Sequence, residues 1–325
     1  GHAGMAAGAC APGAAAAPES LDRPGPPGQW RPTAAPPRTF RSYFMRGGIP
    51  DSIPDAVASD GLDCEDAVLS RSEWRFQPAA VGALFDRLMA VGKPLGEAVN
   101  GRIYRGVLTG LNEAFIIDRA TRDRLVAADP ACAPILRRLL RGEDLRPWYQ
   151  QDEGRFLIFA RRGIEIERYP SILTHLSQFR EQLEPRPEDW PGRPMDWPGR
   201  KAGPYRWYEI QDSVDYYPAF DEPKILWPDI AKLPRFSWDA DGAYVNDKGF
   251  IIALPPDQVW LLALLQNRLQ WFCISQMCTP LRLRGGLWQS QCKKQFIERL
   301  RIPAMDDASR VRLADLAVQA TALAR

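Results

Sequence analysis

Cationic, hydroxyl and amide side chains lie close together in segment 101–118, where they could contact a nucleic acid. They are two arginines, a threonine and an asparagine: Arg102, Arg105, Thr109 and Asn112. Arginine neutralises phosphate, and hydroxyl and amide groups form hydrogen bonds with phosphates and base edges. Gly110 tolerates positive φ, so the sequence predicts two strands, 103–108 and 114–117, joined by a tight hairpin. The alternative is an ordinary hairpin whose threonine and asparagine bond only their own turn.

Segment 281–301 is the second candidate, because it carries six cations against one acid, Glu298. The cations are Arg282, Arg284, Lys293, Lys294, Arg299 and Arg301. The glycine pair 285–286 lets the backbone approach a phosphate closely. Arginine can pair bidentately with guanine, and Gln289 with adenine. The alternative is a solvated sheet edge that charge protects from aggregation.

A third candidate is a repeated pentapeptide, D-W-P-G-R, at 189–193 and 196–200, which Lys201 follows. Each copy places an aromatic ring near a cation on a turn-prone backbone. Such a unit could stack on a base, with Arg200 and Lys201 reaching a groove. It could equally be a solvated insertion, since loops tolerate such additions.

Hydrophobic periodicity indicates the elements that position these segments. Helices are predicted at 78–91, 121–128, 133–141, 171–183, 257–275 and from 308 onward. Further strands are predicted at 155–160, 205–211, 224–227, 235–238 and 249–254. This order favours an α+β fold with mixed, largely antiparallel sheets, packed helices and long loops.

Six segments, in order, resemble elements of the TaqI-like C-terminal specificity domain. They are G-x-I-Y-x-G-x-x-T-G-x-N-E-A-F-x-I-D at 101–118 and the segments 140–149, 169–186, 207–210, 223–225 and 301–303. The resemblance spans about residues 70–305. It implies a target-recognition fold whose loops face DNA, as found in adenine-specific methyltransferases and fused restriction-modification enzymes. It also implies double-stranded DNA as a partner and a methyltransferase or nuclease domain in cis or in trans. S-adenosylmethionine would belong to that catalytic domain, and we expect no cofactor in this chain.

Composition limits the class of protein. The net charge is only +2, so a DNA-binding surface must be a local patch. Six cysteines without a C-x-x-C pair, and only two histidines, make a zinc site improbable and fit reduced thiols in the cytoplasm. The strongest apolar run, 259–265, is too short to span a bilayer, so no membrane partner is predicted.

The sequence predicts four parts of the chain. An Ala/Pro-rich leader at 1–38 lacks the apolar side chains needed to fold, and 39–70 is a linker or connecting segment. The target-recognition domain spans 71–305, and 306–325 is an amphipathic helix. That helix either packs on the domain or contacts a partner. Its predicted apolar stripe is Leu313, Leu316, Ala317, Ala320 and Leu323.

The sequence lacks the residues that transfer a methyl group. An adenine methyltransferase holds its flipped base with an N-P-P-Y-type tetrapeptide, and neither 254–257 nor 35–38 supplies one. A Mg²⁺-dependent nuclease is one alternative, because Glu222 and Lys224 have E-x-K spacing with Asp221 and Asp229 near. Another is a specificity subunit whose terminal helix docks a separate methyltransferase.

The predicted function is therefore sequence-specific recognition of double-stranded DNA without catalytic or metal-binding residues. Lys293, Lys294 and Arg299 would hold phosphates and set the register. The base edges would be read by Arg284, Gln289, Thr109, Asn112, Arg200 and Lys201. Arg102, Arg105 and Arg282 complete the predicted DNA-binding set.

Overall fold

The computed structural model describes most of the chain, namely residues 10–11, 39–43, 49–65, 69–70 and 77–324. The chain divides into two compact units, 1–90 and 91–325. Apart from Cys10 and Ala11, the predicted leader lies outside the described residues. Parts of the predicted linker also lie outside them.

The first unit contains strands β1 (Cys10–Ala11), β2 (Thr39–Ser42) and β3 (Leu62–Glu65). They form an antiparallel sheet with β2 in the centre. Its helices are α1 (Ile53–Asp60) and α2 (Ala79–Met89). The Ser52 hydroxyl caps α1 by accepting a hydrogen bond from the Asp55 N–H. Helix α2 begins directly after Pro78, which confirms the helix predicted there.

The second unit holds the other elements. Its strands are β4 (Lys93–Pro94), β5 (Ile103–Arg105), β6 (Ile116–Asp118), β7 (Leu136–Leu140), β8 (Arg155–Ile158), β9 (Lys224–Pro228), β10 (Ile230–Ala231), β11 (Ser237–Asp239), β12 (Tyr244–Val245), β13 (Gly249–Ala253), β14 (Thr279–Arg284), β15 (Leu287–Gln291) and β16 (Arg301–Ile302). Its α-helices are α3 (Leu95–Ala98), α4 (Asn112–Phe115), α5 (Arg119–Ala128), α6 (Pro170–Ser177), α7 (Arg180–Leu183), α8 (Pro218–Asp221), α9 (Trp260–Leu265), α10 (Arg268–Met277), α11 (Lys294–Ile297) and α12 (Asp307–Ala324).

Several small sheets organise the second unit. One has the order β11–β9–β13–β5 and is antiparallel throughout. A second has the order β12–β7–β8–β6, in which only the β12–β7 pair is parallel. Strands β10, β15 and β14 form a third sheet, and β16 pairs with β4. The predicted α+β class with mixed, largely antiparallel sheets is confirmed.

The core of the second unit lies on the central strands β9 and β13. Every residue of both strands is buried, and apart from Lys224 at the start of β9 their sequences do not alternate between apolar and polar residues. Trp227 of β9 stacks on Phe250 of β13, with ring centroids 5.2 Å apart. Phe220 and Tyr244 stack in the same way at 4.7 Å. These strands form a rigid base for the loops beside them.

The hairpin predicted between 103–108 and 114–117 is wrong. Strand β5 pairs with β13, and β6 pairs with β8, so the two strands belong to different sheets. Asn112 begins the short helix α4 instead of closing a turn. Gly110 does have positive φ, at 86°, as its residue type suggested. Pairing with distant strands thus overrides the local turn signal.

Three other predicted elements also differ from the structure. Residues 133–141 are not a helix: a 3-10 turn at Pro130–Ile135 leads into β7, whose leucines are buried between β8 and β12. Residues 205–211 form turns rather than a strand. The helix predicted at 257–275 breaks at Asn267. The Asn267 side chain caps α10 by accepting a hydrogen bond from the Gln270 N–H. Leu269 lies beyond that break and is 55% exposed rather than part of the core.

Long helices and buried strands agree better with the sequence. Helix α5 and strands β8, β9, β11 and β13 lie within two residues of their predicted bounds. The helix predicted at 171–183 is present as two pieces, α6 and α7. The terminal helix α12 is present, with Ala317 fully buried. However, Leu316 and Leu323 of its predicted stripe are exposed.

Candidate nucleic-acid interface

Four cations line one open cleft in the second unit, which we call the cationic cleft. Its volume is about 520 Å³. The cations are Arg105, Lys248, Lys293 and Lys294. The other lining residues are Asp229, Asp247, Phe250, Gln291 and Gln295. The structure thus brings together two parts of the sequence that were predicted separately, around 105 and around 293.

Backbone hydrogen bonds fix the elements that carry these cations. Arg105 ends β5, and the N–H of the next residue, Gly106, donates to the Gly249 carbonyl of β13 at 2.8 Å. Lys248 lies in the turn before β13, and its carbonyl accepts from the Asp229 N–H at 2.8 Å. The Asp229 carbonyl in turn accepts from the N–H of Cys292, directly before Lys293, at 2.7 Å. The cleft is therefore built on the rigid central sheet.

Two of the four cations share one carboxylate within the cleft. The Asp247 carboxylate, only 9% exposed, accepts from Arg105 at 3.2 Å and lies 2.9 Å from the Lys248 ammonium. Among the described residues, neither Lys293 nor Lys294 forms an ion pair. These two lysines are therefore the charges most available to an incoming phosphate.

Strands β14 and β15 form a two-stranded hairpin, which we call the ribbon. All six residues of β14 are exposed. Gly285 and Gly286 form its tip and both have positive φ, at 60° and 72°. This is the backbone of a tight two-residue turn, and glycine adopts it without steric cost.

One face of the ribbon carries three of the predicted DNA-binding residues, of which Arg284 and Gln289 were predicted to read bases. Arg282 lies opposite Gln289, and Arg284 lies opposite Leu287, so these side chains share a face. The Arg282 Nε donates to the Gln289 Oε1 at 2.7 Å. The Arg284 carbonyl accepts from the Lys232 ammonium at 2.5 Å, which places a further cation near the tip.

The ribbon and the cationic cleft are contiguous. Gln291 ends β15 and lines the cleft, and Lys293 and Lys294 follow it directly. Gln291 also pairs with Ile230 of β10, which anchors the base of the ribbon. Cations therefore run from the tip of the ribbon to the cleft at its base.

Arg200 and Thr109 were predicted to contact bases, but both side chains are buried. Arg200 is 4% exposed, and its guanidinium donates to five backbone carbonyls: Leu183, Thr109, Glu209, Arg206 and Trp207. Burial lowers the pKa of Arg200 to about 10, so it remains charged at neutral pH. Thr109 is 2% exposed, and its hydroxyl donates to Asn112 at 2.9 Å. Both residues hold loops together instead of facing a ligand.

The remaining predicted residues lie outside both the cleft and the ribbon. Asn112, Lys201 and Arg299 are exposed. Arg102 pairs with Glu222, and this hydrogen bond raises the pKa of the guanidinium. The predicted DNA-binding residues therefore fall into those that lie in the cleft or the ribbon and those that lie outside both.

The two copies of the repeated pentapeptide differ in environment. Trp190 and Trp197 contact each other edge to face, with centroids 4.9 Å apart. The Trp197 indole also donates to the Glu184 carbonyl at 3.0 Å. Arg193 pairs with Asp196 at 3.0 Å, whereas Arg200 is buried. The indoles thus bind one another and the loop.

Sequence reasoning missed Lys248, Asp247 and Lys232. Lys248 and Asp247 lie in a short turn between buried strands, which resembles any polar turn in the sequence. Only the pairing of β5 with β13 places that turn beside Arg105. A polar turn directly before a fully buried strand is the signal that could have indicated them.

The E-x-K pair considered for a nuclease is not arranged for catalysis. Lys224 is fully buried, and its ammonium donates to Asp239 at 2.6 Å and to the Phe220 carbonyl at 2.6 Å. Burial lowers the pKa of Lys224. Among the residues that the structure describes, no group of three or more His, Cys, Asp or Glu side chains could hold a metal ion.

Comparison with known proteins gives little further information. No family model and no curated protein matches the chain. A solved structure of the type IIL restriction-modification enzyme MmeI in complex with DNA is similar at a TM-score of 0.36 and 10% identity. The match covers 67% of this chain and 32% of that one. A likeness this distant carries no argument about function. No described helix is long and apolar enough to cross a membrane.

Proposed function

We propose that this chain binds double-stranded DNA and reads its sequence. One observation carries the proposal: Lys293 and Lys294 lie at the base of an exposed ribbon that presents Arg282, Arg284 and Gln289 on one face. Phosphate-binding cations beside a projecting element with base-reading side chains are what groove recognition requires.

The cationic cleft would hold the sugar-phosphate backbone. Lys293 and Lys294 approach phosphates directly, because Asp247 already pairs with the other two cations. Each neutralised phosphate releases counterions, so affinity should fall steeply with salt. This contact sets the register of the ribbon but carries no sequence information.

The ribbon would enter the major groove, which admits a two-stranded β-ribbon. Arg282 and Arg284 present guanidinium groups suited to guanine, and Gln289 an amide suited to adenine. The Arg282–Gln289 hydrogen bond restrains both side chains on one face. They therefore lose less side-chain entropy on binding than free side chains would.

The resemblance to the TaqI-like specificity domain supports a narrower proposal. The chain would be the target-recognition part of an adenine-N6 methyltransferase or restriction-modification system. A catalytic domain in cis or in trans would bind S-adenosylmethionine and act on the adenine that this chain positions. Helix α12, with Leu316 and Leu323 exposed, offers a surface for such a partner.

The phosphate contacts are tested with a fluorescein-labelled duplex and anisotropy over a range of salt. The double variant Lys293→Ala/Lys294→Ala should lower the slope of log K against log salt by about two units. Arg168→Ala is the matched control, because this exposed arginine pairs with Glu165 and does not line the cleft. If both variants kept the wild-type slope, the cleft would not be the phosphate site.

Base reading is tested by selecting bound duplexes from a random pool. Arg284→Ala should relax one position of the selected site and cost about 1–3 kcal/mol on the wild-type sequence. Lys293→Ala should weaken all duplexes alike. A wild-type protein that enriches no sequence would refute sequence-specific reading.

A Mg²⁺-dependent nuclease is the second candidate, and one observation favours it. Asp229, Asp247 and Lys293 line the same open cleft, which combines carboxylates with a lysine as metal-assisted cleavage requires. Against this, Asp247 already binds two cations. Cleavage of supercoiled plasmid with Mg²⁺, abolished by Asp229→Asn, would favour the nuclease. Intact plasmid would exclude it.

A further inference from the structure

The second face of the ribbon is apolar and uncovered. Leu283 and Trp288 lie directly opposite each other across the two strands, on the face away from Arg282 and Gln289. They are 59% and 56% exposed. The register shifts between Pro280 and Arg282, so Leu281 forms a bulge beside the pair and is 44% exposed.

An exposed aromatic–aliphatic pair on a projecting element usually marks a contact surface. Among the described residues, the Trp288 side chain makes no contact with another ring and no hydrogen bond. A ribbon lying flat on DNA would use only its polar face and leave this pair in water. A ribbon entering tip first would use both faces.

We propose that the ribbon enters the duplex tip first and that Trp288, backed by Leu283, stacks on an unpaired base. This inference rests on the proposed function and deepens it. The tip suits such entry, because Gly285 and Gly286 carry no side chains and the hairpin is narrowest there. Apolar wedges that unstack base steps are a known way of bending DNA, and each unstacked step costs only a few kcal/mol.

The surrounding charges favour a base over an apolar protein surface. The Lys232 ammonium lies at the tip, Arg282 and Arg284 occupy the opposite face, and the cationic cleft lies at the base. An apolar protein partner would have to leave these cations unpaired or desolvated. A nucleic acid supplies a flat apolar ring for Trp288 and phosphates for the cations.

The test uses the full chain and two fluorescein-labelled duplexes that differ at one position. The first carries a single extrahelical 2-aminopurine, and the second is fully paired. The wild type should bind the bulged duplex about tenfold or more tightly than the paired one, as expected for stacking on an aromatic ring. Binding should also quench the 2-aminopurine fluorescence.

Trp288→Ala should lose both the preference and the quenching while keeping its affinity for the paired duplex. Trp288→Phe should keep most of both, because it retains a ring. Arg282→Ala is the control on the opposite face and should weaken binding to both duplexes alike. Leu283→Ala, which leaves the ring in place, should give a smaller loss of preference than Trp288→Ala.

The outcomes separate this inference from the proposed function. If Trp288→Ala kept the preference and the quenching, Trp288 would not be the stacking residue and the inference would be overturned. If the wild type bound both duplexes equally without quenching, the inference would fail while DNA binding would stand. If neither duplex were bound, both proposals would fail.

Discussion

Replacing Arg200 with alanine should destabilise the second unit rather than remove a contact to DNA. The guanidinium joins carbonyls from well-separated parts of the chain, including Thr109, Leu183 and Glu209. Alanine would leave these carbonyls buried without a donor. An unsatisfied buried polar group costs about 1–3 kcal/mol.

The expected loss is smaller than a simple sum over the bonds. Five hydrogen bonds from Arg200, at about 1.5–3 kcal/mol for a charged donor, would add up to more than the total stability of many domains. Neighbouring bonds in one network are not additive. Removing one partner of a buried charged network costs about 3–5 kcal/mol, which we expect here. Arg200→Lys should lose about half of that, because an ammonium has three donors for five carbonyls.

Urea unfolding followed by far-UV circular dichroism measures this loss. The matched control is Lys201→Ala, which removes the neighbouring, exposed cation and should change the stability by less than about 0.5 kcal/mol. DNA affinity should be measured on Arg200→Lys below its unfolding transition, where it should match the wild type.

The reasoning would be refuted by either of two results. Arg200→Ala could unfold at the wild-type urea concentration, which would show that the buried network contributes nothing. Alternatively, folded Arg200→Lys could lose DNA affinity at unchanged stability. That result would restore Arg200 as a DNA contact.

Three further predictions concern the second unit. Lys224→Met should cost about 1–3 kcal/mol in urea unfolding, because the buried Asp239 carboxylate loses the lysine but keeps its pair with Arg138 at 2.7 Å; an unchanged midpoint would contradict this. Gly92→Ala should cost more than about 2 kcal/mol by the same assay, since φ is +73° and a Cβ would lie 2.1 Å from the Ile302 carbonyl oxygen. Burial raises the pKa of Tyr216 to about 12, whereas the unfolded chain loses this proton near pH 10. The contribution of Tyr216 to stability should therefore be constant below pH 10 and fall between pH 10 and 12, so Tyr216→Phe should depend less steeply on pH than the wild type in that range.

The sequence predicted elements whose signal is local. Helix α5 and strands β9 and β13 follow from hydrophobic runs bounded by turn residues, and all three are present. The prediction of a hairpin at 103–117 was wrong because the strand that pairs with β5 lies far along the chain. The helix predicted at 133–141 is wrong because the buried leucines of β7, Leu136, Leu139 and Leu140, recur at a spacing that also fits one face of a helix.

The residues of the candidate site also differ in whether a local sequence pattern could predict them. Lys293 and Lys294 could be recognised from composition, since a cationic run with glycine and an aromatic is a local pattern. Arg200 could not be excluded, because a cation in a Pro/Gly loop is normally solvated. Its burial depends on carbonyls from separate segments, which only the folded chain brings together. Lys248 was missed for the same reason.

Every residue of β14 is exposed, so its side chains contribute little to the stability of the fold. Under the proposed function, substitutions at Arg282 and Arg284 would change what the ribbon recognises while leaving the interior untouched. Mutations there would then be selected by what the ribbon binds and hardly by thermodynamic stability. A lineage could therefore acquire new targets by small steps, each through a well-folded intermediate.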